Sequence, residues 1–221
     1  MNLTELLISM ALSSLLMGIS TNAAFEINQR IQNKLKSTQE RNEVLHALNV
    51  IARSVRQSGF STASEKFPKI SSKQLVSIKN SITVGKSSNL DLIKVGVFNF
   101  RKGINNVNQS DALAIRHASH AQFNCLGHRI TSKRLINGVS HQGFFAQRID
   151  SAGLKMGMLM CQTIDNNGRL QNDGILSGVE KLNFNLTPND ISPVGVVVSL
   201  TMSSGNEYSR FIAIRNAGTF N

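Results

Sequence analysis

The sequence predicts an α+β fold: one long N-terminal helix, with a membrane-spanning half and an amphipathic half, packed on an antiparallel β-rich globular head. Three observations predict it. Residues 6–25 carry no charged side chain. No proline interrupts the chain before Pro68. Beyond Gly59, apolar residues stop recurring at spacings of three and four and fall instead into short β-prone runs between turn formers. The chain therefore divides into 1–25, 26–58 and 59–221.

Residues 1–25 have a single charged side chain, Glu5. Leu6–Ile19 is rich in Leu, Ile, Met and Ala, and twenty helical residues rise about 30 Å, the thickness of a bilayer core. Ser13, Ser14, Ser20, Thr21 and Asn22 dilute the stretch, although Ser and Thr return hydrogen bonds to their own helix. A removable signal peptide would need a basic start, and no Lys or Arg precedes Arg30; Thr21-Asn22-Ala23-Ala24 is only a weak cleavage sequence. Glu5 is the misplaced charge. It either sits at headgroup level or waits for a cation, since an unpaired carboxylate in lipid costs about 3 kcal/mol.

Residues 26–58 read as a continuation of the helix into water. Ile27, Ile31 and Leu35 fall four apart, and Leu45, Leu48, Ile51, Ala52 and Val55 extend an apolar stripe. Glu26 and Arg30 are placed to pair on the solvent face, and the polar run Lys36–Glu43 should face water. Ser58-Gly59 is a stop signal, with Arg53 and Arg56 in the last turns where cations suit the helix dipole. A continuous helix over 2–58 would be roughly 85 Å long, with Gly18 its natural bending point. The rival reading is a plain anchor followed by a coiled coil.

The third segment predicts strands at Leu75–Lys79, Ser81–Val84, Asp91–Phe100, Ala112–Arg116, Gln142–Arg148, Leu154–Gln162, Gly178–Leu186, Val194–Met202 and Tyr208–Asn216. The turn formers between them are 103–106, Asp165-Asn-Asn-Gly168, Asn172-Asp-Gly174 and Ser203-Ser-Gly-Asn206. The last two strands read as a hairpin. The two cysteines, Cys125 and Cys161, both lie here. In an oxidising compartment they should be joined, and in a reducing one they would be core thiols. The anchor and the missing Cys-x-x-Cys favour a structural disulfide.

With 221 residues, the chain is long enough for one domain with a sizeable core, and 41% apolar against 17% charged residues excludes wholesale disorder. A net charge of +11 suggests an anionic partner such as nucleic acid, anionic lipid or surface polysaccharide, or serves solubility alone. Lys66, Lys69, Lys73, Lys79, Lys86, Lys94, Arg101 and Lys102 stand against only Glu65 and Asp91, a run that suits DNA phosphates or a plain solvated face. Phe98 and Phe100 at strand spacing would stack on bases or, more simply, pack in the core. His117, His120, His128 and His141 lie close in sequence, but zinc needs three or four convergent ligands, so no metal is assigned. Asp165-Asn-Asn-Gly168 lacks the closing Glu of a calcium loop and reads as a β-turn. No Walker loop, no Gly-x-Ser-x-Gly and no nucleophile–base pair is present, so the chain reads as a non-enzyme that needs no cofactor.

An ordered set of segments resembles the PilW-like minor pilins of type IV pili. Met1-Asn2-Leu3-Thr4-Glu5-Leu6-Leu7-Ile8 resembles the start of a mature pilin in register, with Met1 where Phe is commoner. Ile51-Ala52-Arg53-Ser54-Val55-Arg56-Gln57-Ser58-Gly59-Phe60 is similar to the family's Ala-Arg-Asp-Ile-Arg-x-Ala-Gly-Tyr run, with Ser54 and Phe60 as departures. Ser110–Ala118, Asn124–Gly127, Met158–Cys161, Ile175–Phe184 and Ala213–Asn216 follow in the family's order. Asn22 stands where major pilins often carry proline. The resemblance implies a pilin-like fold, and a function in priming pilus assembly and in the tip complex. It makes Met1 the processing and methylation site, acted on by the leader peptidase and methylase. Glu5 becomes the assembly carboxylate, pairing with a neighbouring subunit's amine, and Cys125 and Cys161 brace the head. The implied partners are other minor pilins and the major pilin. The implied location is the inner membrane, single-pass with a periplasmic head, and then the pilus. The J-class pseudopilins of type II secretion share this plan, and a DNA-capturing or adhesive tip subunit is a further alternative.

Overall fold

In a computed structural model of the protein, helix α1 runs from Leu3 to Gln57, and ten strands follow it among the described residues. The structure describes residues 2–58, 81–86, 89–91, 99–101, 107, 109–117, 123–136, 139–151, 154–187 and 194–214. The helix needs little explanation: no proline and a single glycine, Gly18, lie within it. It stops where the Ser58 N–H turns back to the Val55 carbonyl, with Arg56 in the last turn. The chain divides into two compact units, Met1–Leu45 and His46–Asn221.

The second unit is mostly antiparallel β. Strands β1 (Ile82–Lys86), β4 (Asp111–His117), β5 (Ser140–Ser151), β6 (Leu154–Ile164) and β7 (Leu170–Ser177) form a five-stranded sheet in the order β1-β4-β5-β6-β7. Strands β8 (Val179–Thr187), β9 (Gly195–Met202) and β10 (Glu207–Ala213) form a three-stranded sheet in the order β10-β9-β8. β2 (Asn89–Asp91) and β3 (Asn99–Arg101) make a separate antiparallel pair. The chain changes sheet at Gly178, whose φ of 76° is open to glycine at little cost.

Side chains from the start of β4 stitch the two sheets together. The backbone N–H groups of Leu182 and Phe184, on the edge of β8 away from β9, donate to Ser110 Oγ and Asp111 Oδ2 at 3.0 Å each. Asp111 also pairs with Lys86 of β1. An edge that would otherwise present bare donors is thereby closed. Close approach reinforces the join: a Cβ built on Gly157 of β6 would stand 1.8 Å from the Val179 carbonyl oxygen.

The core follows strand alternation. Leu182, Phe184, Val196, Val198, Leu200 and Ile212 are buried on the inner face of the three-stranded sheet. Leu113, Ile115, Phe144, Leu159 and Cys161 are buried on one face of the five-stranded sheet, while Ala112, Ala114, Phe145 and Met160 form a cluster on its other face. β4 is buried at every residue, so the centre of this sheet is covered on both sides. The last turns of α1 contribute Ala47, Leu48, Ile51, Ala52 and Val55, all buried, at the spacings of one helix face.

Several expectations are corrected here. Two principal sheets of eight strands replace the plan of a long helix packed on a head: residues up to Leu45 form a unit of their own, and only the turns from His46 on belong with the strands. Among the described residues no helix is long and apolar enough to cross a membrane. The expected transmembrane helix, and with it the single-pass inner-membrane placement, is therefore overturned. Asp91–Phe100 is not one strand, since its ends belong to β2 and β3, which pair with each other. Asn172-Asp-Gly174 is not a turn but the middle of β7, an added strand. The strand expected at Leu75–Lys79 lies outside the described residues.

Candidate assembly surface

The first unit exposes what a water-soluble helix normally hides. Leu3, Leu7, Ile8, Met10, Leu12, Met17 and Phe25 are each about 60% exposed or more, and Ile27, Ile31 and Leu35 follow at about half. In the opening turns these side chains point all round the helix, which is the pattern of a helix surrounded by apolar neighbours. Further along they narrow. Positions 3, 10, 17, 24, 31, 38 and 45 are Leu, Met, Met, Ala, Ile, Thr and Leu. Residues at every seventh position lie near one line of a helix, drifting by about 20° per repeat when the helix is straight.

The polar residues of the same stretch turn away from that role. Ser13 Oγ donates to the Met10 carbonyl at 3.2 Å and Thr21 Oγ1 to the Met17 carbonyl at 3.1 Å. Folded back on their own backbone, these hydroxyls leave short, nearly apolar steps between the long side chains. Further on, Glu26 and Arg30 come within 3.9 Å, and Gln39 Nε2 donates to Glu43 at 2.9 Å. Both contacts are exposed and worth only a few tenths of a kcal/mol.

In the second unit, the last turns of α1 are held by polar contacts as well as by burial. Ser54 Oγ donates to Gln142 Oε1 at 2.9 Å, and Gln142 Nε2 lies 2.8 Å from His117 Nε2. Arg53 donates to the Asn124 carbonyl at 3.2 Å, and Arg210 of β10 donates to Asn49 Oδ1 at 2.7 Å. The loop carrying Asn124 is itself tied down. Asn124 Oδ1 accepts the N–H groups of Leu126 and His128, and Cys125 is joined to Cys161 of β6, with 6.2 Å between their Cα atoms. The disulfide expected from the two cysteines is therefore present, and both residues are buried. The Ser54 and Arg53 contacts give two residues of the helix-end motif a local role, which sequence reasoning registered only as a pattern.

Most of the remaining expected site residues lie outside the described residues. Met1 lies outside the described residues, and Glu5 lies within α1 with its side chain outside them. Lys66, Lys69, Lys73, Lys79, Lys94 and Lys102 lie outside the described residues, as does the side chain of Arg101 at the end of β3. Lys86, at the end of β1, is committed to Asp111. His117 and His141 are buried in β4 and β5. His141 stands opposite Arg116, so strand alternation puts the two imidazoles on opposite faces. Burial holds both rings down at about 4, and for His141 the charges of Arg116 and His117 act in the same direction. His128 is exposed and His120 lies outside the described residues, among which no group of three or more His, Cys, Asp or Glu is placed to hold a metal. Asp165 Oδ1 accepts the Arg169 and Asn167 N–H groups at 2.8 Å each, which lowers its pKa and gives the carboxylate a turn-forming role.

Set against known proteins, the chain matches no family model and no curated protein.

Proposed function

We propose that the protein is a non-enzymatic minor subunit of a type IV pilus that takes part in priming filament assembly. The observation that supports this reading is the run of exposed Leu, Ile, Met and Phe side chains along a helix that forms its own compact unit. Burying apolar surface contributes about 25 cal/mol per Å², so a helix this apolar is stable in water only when something covers it. Helices of sister subunits do so, with the seam at every seventh residue setting their register. The second unit is the head such a filament displays. Its polar ties and disulfide fix the end of the helix to the sheets, so that force on the helix is passed to a braced structure. The resemblance of Met1–Ile8 to a pilin start supports the same reading, and it makes Glu5 the carboxylate that pairs with a neighbour's amine.

The test replaces Ile31 and Leu35 together by Asp in cells that assemble the filament. Both side chains are exposed, so the melting temperature of the head should stay within about a degree or two. Incorporation of the subunit should fall by roughly tenfold or more, as two desolvated carboxylates enter the helix contacts. Glu5→Gln should give a similar loss. Normal incorporation of all these variants would remove the proposal, and recovery of the parent chain with secretion pseudopilins would transfer it to a secretion machine.

A further inference from the structure

Strand β6 carries methionine at every second position from 156 to 160, so strand alternation puts Met156, Met158 and Met160 on one face of the five-stranded sheet. Their exposure is graded. Met156 is 44% exposed, Met158 is half-buried and Met160 is 8% exposed. Met160 belongs to the buried cluster with Ala112, Ala114 and Phe145, and Met158 packs against that cluster from its rim. The three thioethers thus run from solvent into the core.

Met158 is seated in a particular way. Its cross-strand partners are Gln147 on β5 and Ser177 on β7. Its sulfur does not stay in that row but reaches along the sheet to Gly174, the residue opposite Met160, where a Cβ would stand 2.2 Å from Sδ. A strand position without a side chain, beside the register shift at Leu159/Met160, therefore holds the sulfur against the β7 backbone. In this seat the thioether has apolar contact on its core side. Gly174 itself is exposed, so a small solute in water reaches the sulfur from the other side.

We propose that Met158 is a site of reversible oxidation by hydroperoxides, and that its oxidation loosens β7 from the sheet. In the forward step Sδ attacks the terminal peroxide oxygen. The S–O bond forms as the O–O bond breaks, the sulfide is oxidised by two electrons, and the hydroxyl proton passes to the departing alkoxide, which leaves as the alcohol. A methionine sulfoxide reductase reverses the step with a dithiol, which becomes a disulfide as water is released. The two oxidation states suit different places. The thioether is apolar and polarisable and packs well against a cluster that includes Phe145. The sulfoxide carries a strong acceptor oxygen that is costly to bury unpaired. In the row of Met158 itself, the Gln147 amide and the Ser177 hydroxyl are donors suited to that oxygen. Oxidation therefore draws the side chain off Gly174 towards them and uncovers the β7 backbone. β7 ends the strand order β1-β4-β5-β6-β7, and a strand in that place opens at lower cost than a central one. The switch uses only the second unit and stands independently of the assembly reading.

The experiment titrates the purified full chain with tert-butyl hydroperoxide. It reads oxygen incorporation at each methionine by peptide mass spectrometry, together with the melting temperature and the hydrogen exchange of β7. Met10, Met17 and Met156, all exposed, should oxidise first, Met158 next, and the buried Met160 and Met202 last. The melting temperature should hold through the first stage and fall by about 2–4 °C as Met158 is oxidised. Exchange over Leu170–Ser177 should quicken by roughly fivefold or more at the same stage. Met158→Leu should abolish both shifts and Met156→Leu neither, while a methionine sulfoxide reductase should restore the parent values. Met158→Gln, which puts a polar acceptor near the place of the sulfoxide oxygen, should show both shifts without peroxide, and it keeps the test decisive should the leucine variant fail to fold. Three results would overturn the proposal: Met158 oxidised no faster than Met202, Met158 sulfoxide formed with β7 exchange unchanged, or both shifts persisting in Met158→Leu.

Discussion

At the scale of single residues, His117 carries a defined burden. Its Nε2 lies 2.8 Å from the Gln142 amide, whose oxygen accepts from Ser54 of α1, so a neutral imidazole completes a buried chain of hydrogen bonds from helix to sheet. In this arrangement Gln142 donates and the ring nitrogen accepts; a protonated ring would set a donor against a donor. Both His117 and His141 are held down to about 4 in the folded chain, below the ordinary value of 6.5. The unfolded chain therefore binds more protons below pH 6.5, and stability is lost as the pH falls through that value towards 4. Denaturant unfolding at pH 7.5 and pH 5 should show a loss of about 2 kcal/mol for each histidine. A His117→Gln variant should lose less than the parent over the same interval. The disulfide allows a second prediction at this scale. Replacing Cys125 and Cys161 together by Ser should lower unfolding stability at pH 7 by about 3–4 kcal/mol, given the 36-residue separation.

At the scale of elements, two glycines of the sheets separate cheap substitutions from costly ones. A Cβ on Gly157 would stand 1.8 Å from the Val179 carbonyl oxygen, which is backbone and cannot step aside. A Cβ on Gly174 would stand 2.2 Å from Met158 Sδ, part of a flexible side chain. Gly157→Ala should therefore cost about 2–3 kcal/mol and Gly174→Ala less than about 1 kcal/mol, as read from thermal unfolding of the two variants. The same strand shows where the sequence was hard to read. β7 is half-exposed, and its register with β6 shifts at Leu159/Met160, so it lacks the strict alternation that reveals a strand. Asn172-Asp-Gly174 has turn composition, yet Gly174 is there to make room for Met158. The β9–β10 hairpin was legible for the opposite reason. Val196, Val198, Leu200 and Met202 alternate cleanly, and Ser203–Asn206 close the turn, with Gly205 at φ 85°. Cys125 and Cys161 were legible as a pair because only two cysteines exist. The stitching of β8 by Ser110 and Asp111 joins residues more than seventy apart, and no local pattern announces such a contact.

At the scale of the whole molecule, composition along the chain revealed the helix and left its environment open. A run without charge reads as a membrane span when counted by charge alone. Among the described residues, no helix is long and apolar enough to cross a membrane. The apolar stripe over 27–35 reads as a surface packed on the head; in the structure these side chains are about half exposed, within a unit that ends at Leu45. The proposed assembly covers these apolar side chains with the helices of other subunits. The measurement that reaches this most directly is cross-linking in assembling cells, with single cysteines placed in turn at positions 24 and 31 of the seam and at 29 and 36 off it. The account predicts cross-links to sister subunits from 24 and 31, with those from 29 and 36 weaker by roughly tenfold. Equal cross-linking at all four positions, or none at any, would contradict it.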